Sequence, residues 1–351
     1  MRPFAASRRS GHRWHIRWPW MLLILPLSLA VSLYAGRYRI SIPVLLDLLT
    51  DFKGRPLAVP EEVRLIFWNI RMPRIIMNLA VGGGISMAGV VFQALFRNPL
   101  ASPDILGVTA GACFGAALSI VFFTQVIVGV QGFAFVFGIA AVSMAYLLAS
   151  RCWDRSAAVL VISGIVVWAI FQAGLYILMY LANPYDQLAQ ITFWIMGSFH
   201  TASWDRVWTT IPVLVAGSAL LTIFSWRLNI MTQAEEQALS LGVNVFRWRF
   251  FYVGLSTLMV AAAVAAVGTI AWVGLVIPHI ARYLVGSDHK HLVPAAGLMG
   301  AAFMLLMDTV ARSAFPSEIP ISIVTSIFGA PFLGYLMLYR GGVNIGGDSA
   351  N

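Results

Sequence analysis

Residues 105–150 read ILGVTAGACFGAALSIVFFTQVIVGVQGFAFVFGIAAVSMAYLLAS, forty-six positions without a single Asp, Glu, Lys or Arg. A helix crossing a bilayer takes about 20 apolar residues at 1.5 Å rise each. The stretch is too long for one crossing, and it breaks at Gly129-Val130-Gln131-Gly132 into two spans.

The rest of the chain has the same texture. Further charge-free stretches run over 18–36, 75–96, 156–185, 207–226, 250–281, 292–307 and 319–339. The stretch 250–281 divides after its Ala/Val run at Gly268, with Gly274 and Pro278 following, into one full helix and one shorter helix. The pattern predicts an all-α polytopic membrane protein with about ten transmembrane helices. Composition agrees: 60% of the 351 residues are hydrophobic and 11% charged, with a mean hydropathy of +0.83. A soluble domain carries about 25% charged residues, so soluble, fibrous and disordered classes are excluded. Segment 187–204 is uncharged but mixed and interrupted by Gly197, and it reads as an interfacial or re-entrant helix.

The transmembrane domain occupies 18–340, between an N-terminal tail 1–17 and a C-terminal tail 341–351. Arg2, Arg8, Arg9, Arg13 and Arg17 precede the first apolar run. A retained first helix explains them, because further spans follow and a cleaved signal peptide is not needed. With ten spans both termini lie on one side. Placing them inside puts 14 of the 23 basic residues on inner segments, as the positive-inside rule requires. The net charge of +9 thus reflects orientation and no nucleic acid. Seven of the nine outer basic residues fall in one loop, Arg37 to Arg74, and a concentration of that kind suggests a partner.

Small residues cluster at Gly82-Gly83-Gly84 through Gly89, at Gly107 through Ala116, and at Ala261 to Ala266. They permit close helix contact where lipid supplies no hydrophobic drive. Cys113 and Cys152 have no metal-ligand spacing, and Asp288-His289-Lys290-His291 reads as a hydrated turn, so no metal site is expected. Ser163 and His279 lack a Gly-x-Ser-x-Gly elbow, which argues against a membrane hydrolase. Neither lysine lies in a Gly-Lys-Ser/Thr loop, so the chain has no Walker A site for ATP. Proton- or sodium-coupled carriers place Asp, Glu or His within the membrane. Asp308, near a membrane edge, is the one acidic residue read here in a helix. An external motor is favoured over the alternative, an ion-coupled secondary transporter or channel.

Several segments resemble one family. They include Arg71-Met72-Pro73-Arg74, Gln93 through Pro103 (QALFRNPLASP), Leu106-Gly107-Val108, and Trp194 through Ser198 (WIMGS). Ala238 through Val243 (ALSLGV), Gly274 through Arg282 (GLVIPHIAR), Asp308 through Arg312 (DTVAR) and Gly329 through Leu333 (GAPFL) complete the set. In this order they resemble FecCD-type permeases, the membrane subunits of ABC importers for ferric siderophores, haem and vitamin B12. The resemblance runs from about Arg64 to Arg340. It implies a vitamin-B12-permease-like, type II importer fold in the cytoplasmic (inner) membrane of a prokaryote. It further implies a second permease subunit forming a homodimer, two cytoplasmic ATPase subunits, and a periplasmic or extracellular substrate-binding protein. This chain itself would bind no cofactor, ATP and Mg being used by the ATPase. Ferric siderophore is the leading cargo, followed by haem and vitamin B12, with an oxyanion such as molybdate behind them.

By motif position, the resemblance makes Arg71, Arg74 and Arg312 the residues that receive acidic side chains of the binding protein. Ala234 through Leu241 reads as a short amphipathic helix that Gly242 ends in the left-handed conformation, and the family uses this position to couple to its ATPase. Glu235 and Glu236 at its start favour the helix dipole, and Ala238, Leu239 and Leu241 would anchor it in the ATPase. The family's inner gate falls at Ser156, Ala157 and Ala158.

Overall fold

The computed structural model describes residues 18–36, 38, 40–50, 59–123, 129–153, 156–233 and 235–339. Both tails and the expected outer-loop residues Arg37, Arg39, Lys53 and Arg55 lie outside them. Every regular element among the described residues is helical. In order these are α1 (Trp18–Tyr34), α2 (Ile42–Thr50), α3 (Glu61–Leu65), α4 (Met72–Leu95), α5 (Val108–Phe122), α6 (Gly129–Ser150) and α7 (Ala157–Leu181). Then follow α8 (Gln187–Met196), α9 (Trp204–Met231), α10 (Glu235–Ser240), α11 (Val245–Val267), α12 (Val273–Val285), α13 (His289–Ser313) and α14 (Ile321–Tyr339).

Six helices have the length and apolarity to cross a membrane: Glu61–Leu95, Gly129–Ser150, Ala157–Leu181, Trp204–Met231, Val245–Val267 and His289–Ser313. Four more apolar helices, of 10–17 residues, are shorter: Leu22–Tyr34, Val108–Phe122, Val273–Val285 and Ile321–Tyr335. The break at Gly268 falls between helices, whereas Gly129 to Gly132, where the other break was expected, form the first turn of α6, and α5 has already ended at Phe122.

Two boundaries differ from the charge-free stretches. The helix expected to begin at 75 starts at Glu61 and continues through a π-helical turn, Ile66–Arg71, into α4. The helix expected over 292–307 runs from His289 to Ser313. The extensions carry Arg71 and Arg74 on one and Asp308 and Arg312 on the other, buried charges whose partners come from other parts of the chain. A charge-based boundary cannot anticipate that.

α4 is the centre of the bundle, touching α9, α11, α12 and α13. Its closest approach is to α12: a Cβ on Gly89 would stand 1.9 Å from the Gly274 carbonyl oxygen. Only glycine permits that backbone contact, which is the means of helix association available in lipid. A second group, α5, α6 and α7, packs alongside. By contrast α6, α7 and α9 turn most of their surface outward, with 28–33% of the apolar window buried.

α8 is a ten-residue helix, too short to span, as the mixed composition of 187–204 anticipated. Its end is tied into the bundle. The Ser198 N–H donates to the Val267 carbonyl at 2.7 Å, and the Ile321 N–H to that of Gly197 at 3.0 Å. The Ser322 hydroxyl donates to the Thr269 carbonyl at 2.8 Å. The non-helical residues 268–272 between α11 and α12 are thus buried in protein and hydrogen-bonded, the condition under which irregular backbone survives at membrane depth.

Candidate functional site

At one end of the bundle Arg71 and Arg74 lie three residues apart on one helical face. Both are buried, as is Arg312 on α13. Arg74 donates from Nε and Nη2 to both oxygens of Asp308, at 2.9–3.2 Å. Its Nη1 donates to Glu318, at 3.0 and 3.1 Å. Arg312, one turn beyond Asp308, places Nε 3.8 Å from Asp308 Oδ2 and donates to the Ser32 backbone carbonyl and hydroxyl. Arg71 donates to the carbonyls of Leu33 and Tyr38. The cluster therefore ties together α1, α4, α13 and the connection to α14.

The three arginines expected to act together are brought together. They are not solvent-facing rim charges, however: each is already engaged within the chain. Asp308, read from sequence as a possible ion-coupling residue, is held in a bidentate pair with Arg74. Glu318, which completes the cluster, was not anticipated, because nothing in its local sequence marks it. Its side chain is 28% exposed, against 2% for Asp308.

At the opposite end, α10 has the expected form. The Gly242 N–H donates to the Leu239 carbonyl at 2.9 Å and the Val243 N–H to that of Ala238 at 3.1 Å, the paired bonds of a Schellman cap. Gly242 has φ +75 and open space around its Cβ position. Leu239 and Leu241 are exposed at 57% and 65%. The expectation for Ala238 needs correction. It is 1% exposed and belongs to the chain's own core, so it seats α10 on the bundle and offers no surface to a partner. The side chains of Glu235 and Glu236 lie outside the described residues.

The flanking helices are braced here. The Arg227 guanidinium lies 4.1 Å from the Trp248 ring centroid, and the Tyr252 hydroxyl donates to the Phe224 carbonyl at 2.7 Å. Of the three expected gate residues, Ser156 is the N-cap of α7, its hydroxyl accepting from the Val159 N–H at 3.5 Å. Ala157 is half-buried and Ala158 exposed. No group of three or more His, Cys, Asp or Glu residues placed to hold a metal occurs among the described residues.

Asp104, which the sequence reading did not single out, lies on the 3-10 turn Pro103–Leu106 that precedes α5, and it lines two cavities, of about 210 and 320 Å³.

Known proteins share this sequence pattern and fold. The sequence profile of the FecCD transport family matches residues 22–339. The molybdate import system permease protein MolB of Haemophilus influenzae is 39% identical over 327 residues, covering 92% of this chain and 96% of its own. The cobalamin import system permease protein BtuC of Halobacterium salinarum is 38% identical over 283 residues, covering 81% of this chain and 76% of its own. A solved structure described as "an inward-facing conformation of a putative metal-chelate type ABC transporter" superposes with a TM-score of 0.81 at 38% identity, covering 91% of this chain and 97% of that one. With its all-helical bundle and its chain-long match, this protein belongs to the FecCD transport family, the membrane-spanning permease subunits of ABC importers.

Proposed function

We propose that this permease moves a metal-bearing solute into the cell, powered by a separate ATPase that docks at the Gly242 end. The observation that carries the proposal is α10: a capped helix presenting Leu239 and Leu241 to water, on a chain with no Gly-Lys-Ser/Thr loop. Two exposed leucines on so short a segment suit a protein groove. In this reading the Gly242 end and both termini are cytoplasmic, and the cytoplasmic gate lies near Ser156, Ala157 and Ala158. Two permease copies and two ATPase copies make the transporter.

The substrate-binding protein docks at the Arg71 end. Because the guanidinium groups are buried, its carboxylates act on the cluster through the exposed edge at Glu318, competing for Arg74. The cargo put first is a ferric siderophore, with haem and vitamin B12 next. Molybdate stands beside them as a second reading, favoured by the near full-length match to a molybdate permease.

The test is reconstitution in vesicles with and without the ATPase and binding protein, scoring uptake of a ferric siderophore, haem, cobalamin and molybdate in parallel. ATP-dependent uptake of one of the four is expected only in the complete system. Concentrative uptake driven by a proton gradient without the ATPase would replace this reading with a secondary carrier.

A further inference from the structure

A cavity of about 850 Å³ opens between α8, the first turn of α9 and the end of α11. Glu318, on its wall, pairs with Arg74, so the cavity belongs to the Arg71 end of the bundle. Its volume is that of a small-molecule site, with Tyr185, Phe193 and Trp194 as aromatic walls. Arg206 is the one Lys or Arg on those walls among the described residues, and it is half-buried. Its Nη1 donates to the Thr201 hydroxyl and to the Ala266 carbonyl, both at 2.6 Å. Those bonds fix the guanidinium in place, while Nε and Nη2 donate to no described residue.

The carboxylates of the same cavity are engaged elsewhere. Glu318 accepts from Arg74 at 3.0 and 3.1 Å, and Asp186 accepts the Gln190 amide at 2.7 Å. Arg206 is thus a partly desolvated cation without a counter-charge, an unfavourable state that an anion relieves. A guanidinium with Nε and Nη2 open matches two oxygens of a carboxylate or an oxyanion. His200 supplies a second donor. The Ser198 hydroxyl accepts the His200 N–H at 3.1 Å and stands 2.7 Å from its Nδ1. With no other acceptor among the described residues, that hydroxyl donates to Nδ1, which leaves the ring proton on Nε2. Ser198 is itself tethered to the Val267 carbonyl, next to the carbonyl that anchors Arg206. Both donors are therefore held from adjacent residues at the end of α11, on the walls of one cavity.

We infer that Arg206 and His200 form an anion-binding subsite in this cavity, which receives an anionic oxygen group of the transported solute. The group is either a free tetrahedral oxyanion or a carboxylate carried by a larger chelate. The inference rests on the importer reading only in making the ligand a cargo. Binding itself is measured on the permease alone, without ATPase or binding protein, so each can fail without the other.

The test is equilibrium binding to the purified full-length permease in lipid nanodiscs. Radiolabelled molybdate serves as the free oxyanion and radiolabelled ferric citrate as the carboxylate-bearing chelate. Saturable binding of one of the two is expected, and which one binds identifies the source. Arg206→Gln, which keeps a donor for the Ala266 carbonyl, should weaken that binding about 10- to 100-fold, the worth of a hydrogen bond to a charged group. Arg206→Lys keeps the charge but loses the fork, and should fall between the two. His200→Phe should weaken binding by less than Arg206→Gln. No saturable binding of either probe overturns the subsite. So does an unchanged affinity in Arg206→Gln with a lowered melting temperature, which would make the arginine a brace for α11 alone. Asp186→Asn removes a negative charge from the wall and should leave binding as tight or tighter; weaker binding there, with none lost in Arg206→Gln, would mean a cation site instead. Each of these failures leaves the importer reading to its own uptake assay.

Discussion

Arg74 and Asp308 are 234 residues apart in sequence and share three charged hydrogen bonds in a buried setting. Removing one partner of a buried pair costs up to about 3–5 kcal/mol, less here because Arg74 keeps Glu318, whereas replacing both with apolar residues costs less still. Asp308→Asn should therefore lower the thermal stability of the purified permease more than the double variant Arg74→Met, Asp308→Leu does. Equal loss in the two would show that packing, and not charge, holds this corner together. The arginines were legible from their motif. Their burial was not, because it depends on Asp308, Glu318 and the carbonyls of Ser32, Leu33 and Tyr38 arriving from other parts of the chain.

Among the elements, α10 was the most readable, since a capping glycine after a short amphipathic run is a local signal. What local pattern could not divide was the apolar set: Ala238 faces inward and Leu239 and Leu241 face out. Leu239→Asp should prevent co-purification of the ATPase while the permease alone keeps its elution profile and melting temperature. Gly242→Val should act differently. A β-branched residue at φ +75 is strained by about 1–3 kcal/mol, but the open space there adds no clash. Assembly should persist in part, with ATP hydrolysis running on without matching uptake. Co-purification of the ATPase with Leu239→Asp at the wild-type yield would remove α10 from the contact.

For the whole molecule the orientation in the membrane is the open quantity that the proposal sets. Exposed Glu62 lies at the Arg71 end, and the native, exposed Cys152 lies at the Gly242 end. In right-side-out vesicles a membrane-impermeant thiol reagent should label Glu62→Cys in a Cys152→Ser background and should leave native Cys152 untouched until the membrane is opened. The opposite pattern would invert the topology. Taken alone, the order and length of charge-free stretches determined that the chain is a helical membrane protein, because burying a charge in lipid costs more than any local preference can offset. The run of motifs determined the family. The tertiary structure alone decided that the arginines are paired internally and that Ala238 belongs to the core. Each of these depends on which groups meet across distant segments, and a one-dimensional pattern of polarity records only that a charge is present, not what compensates it.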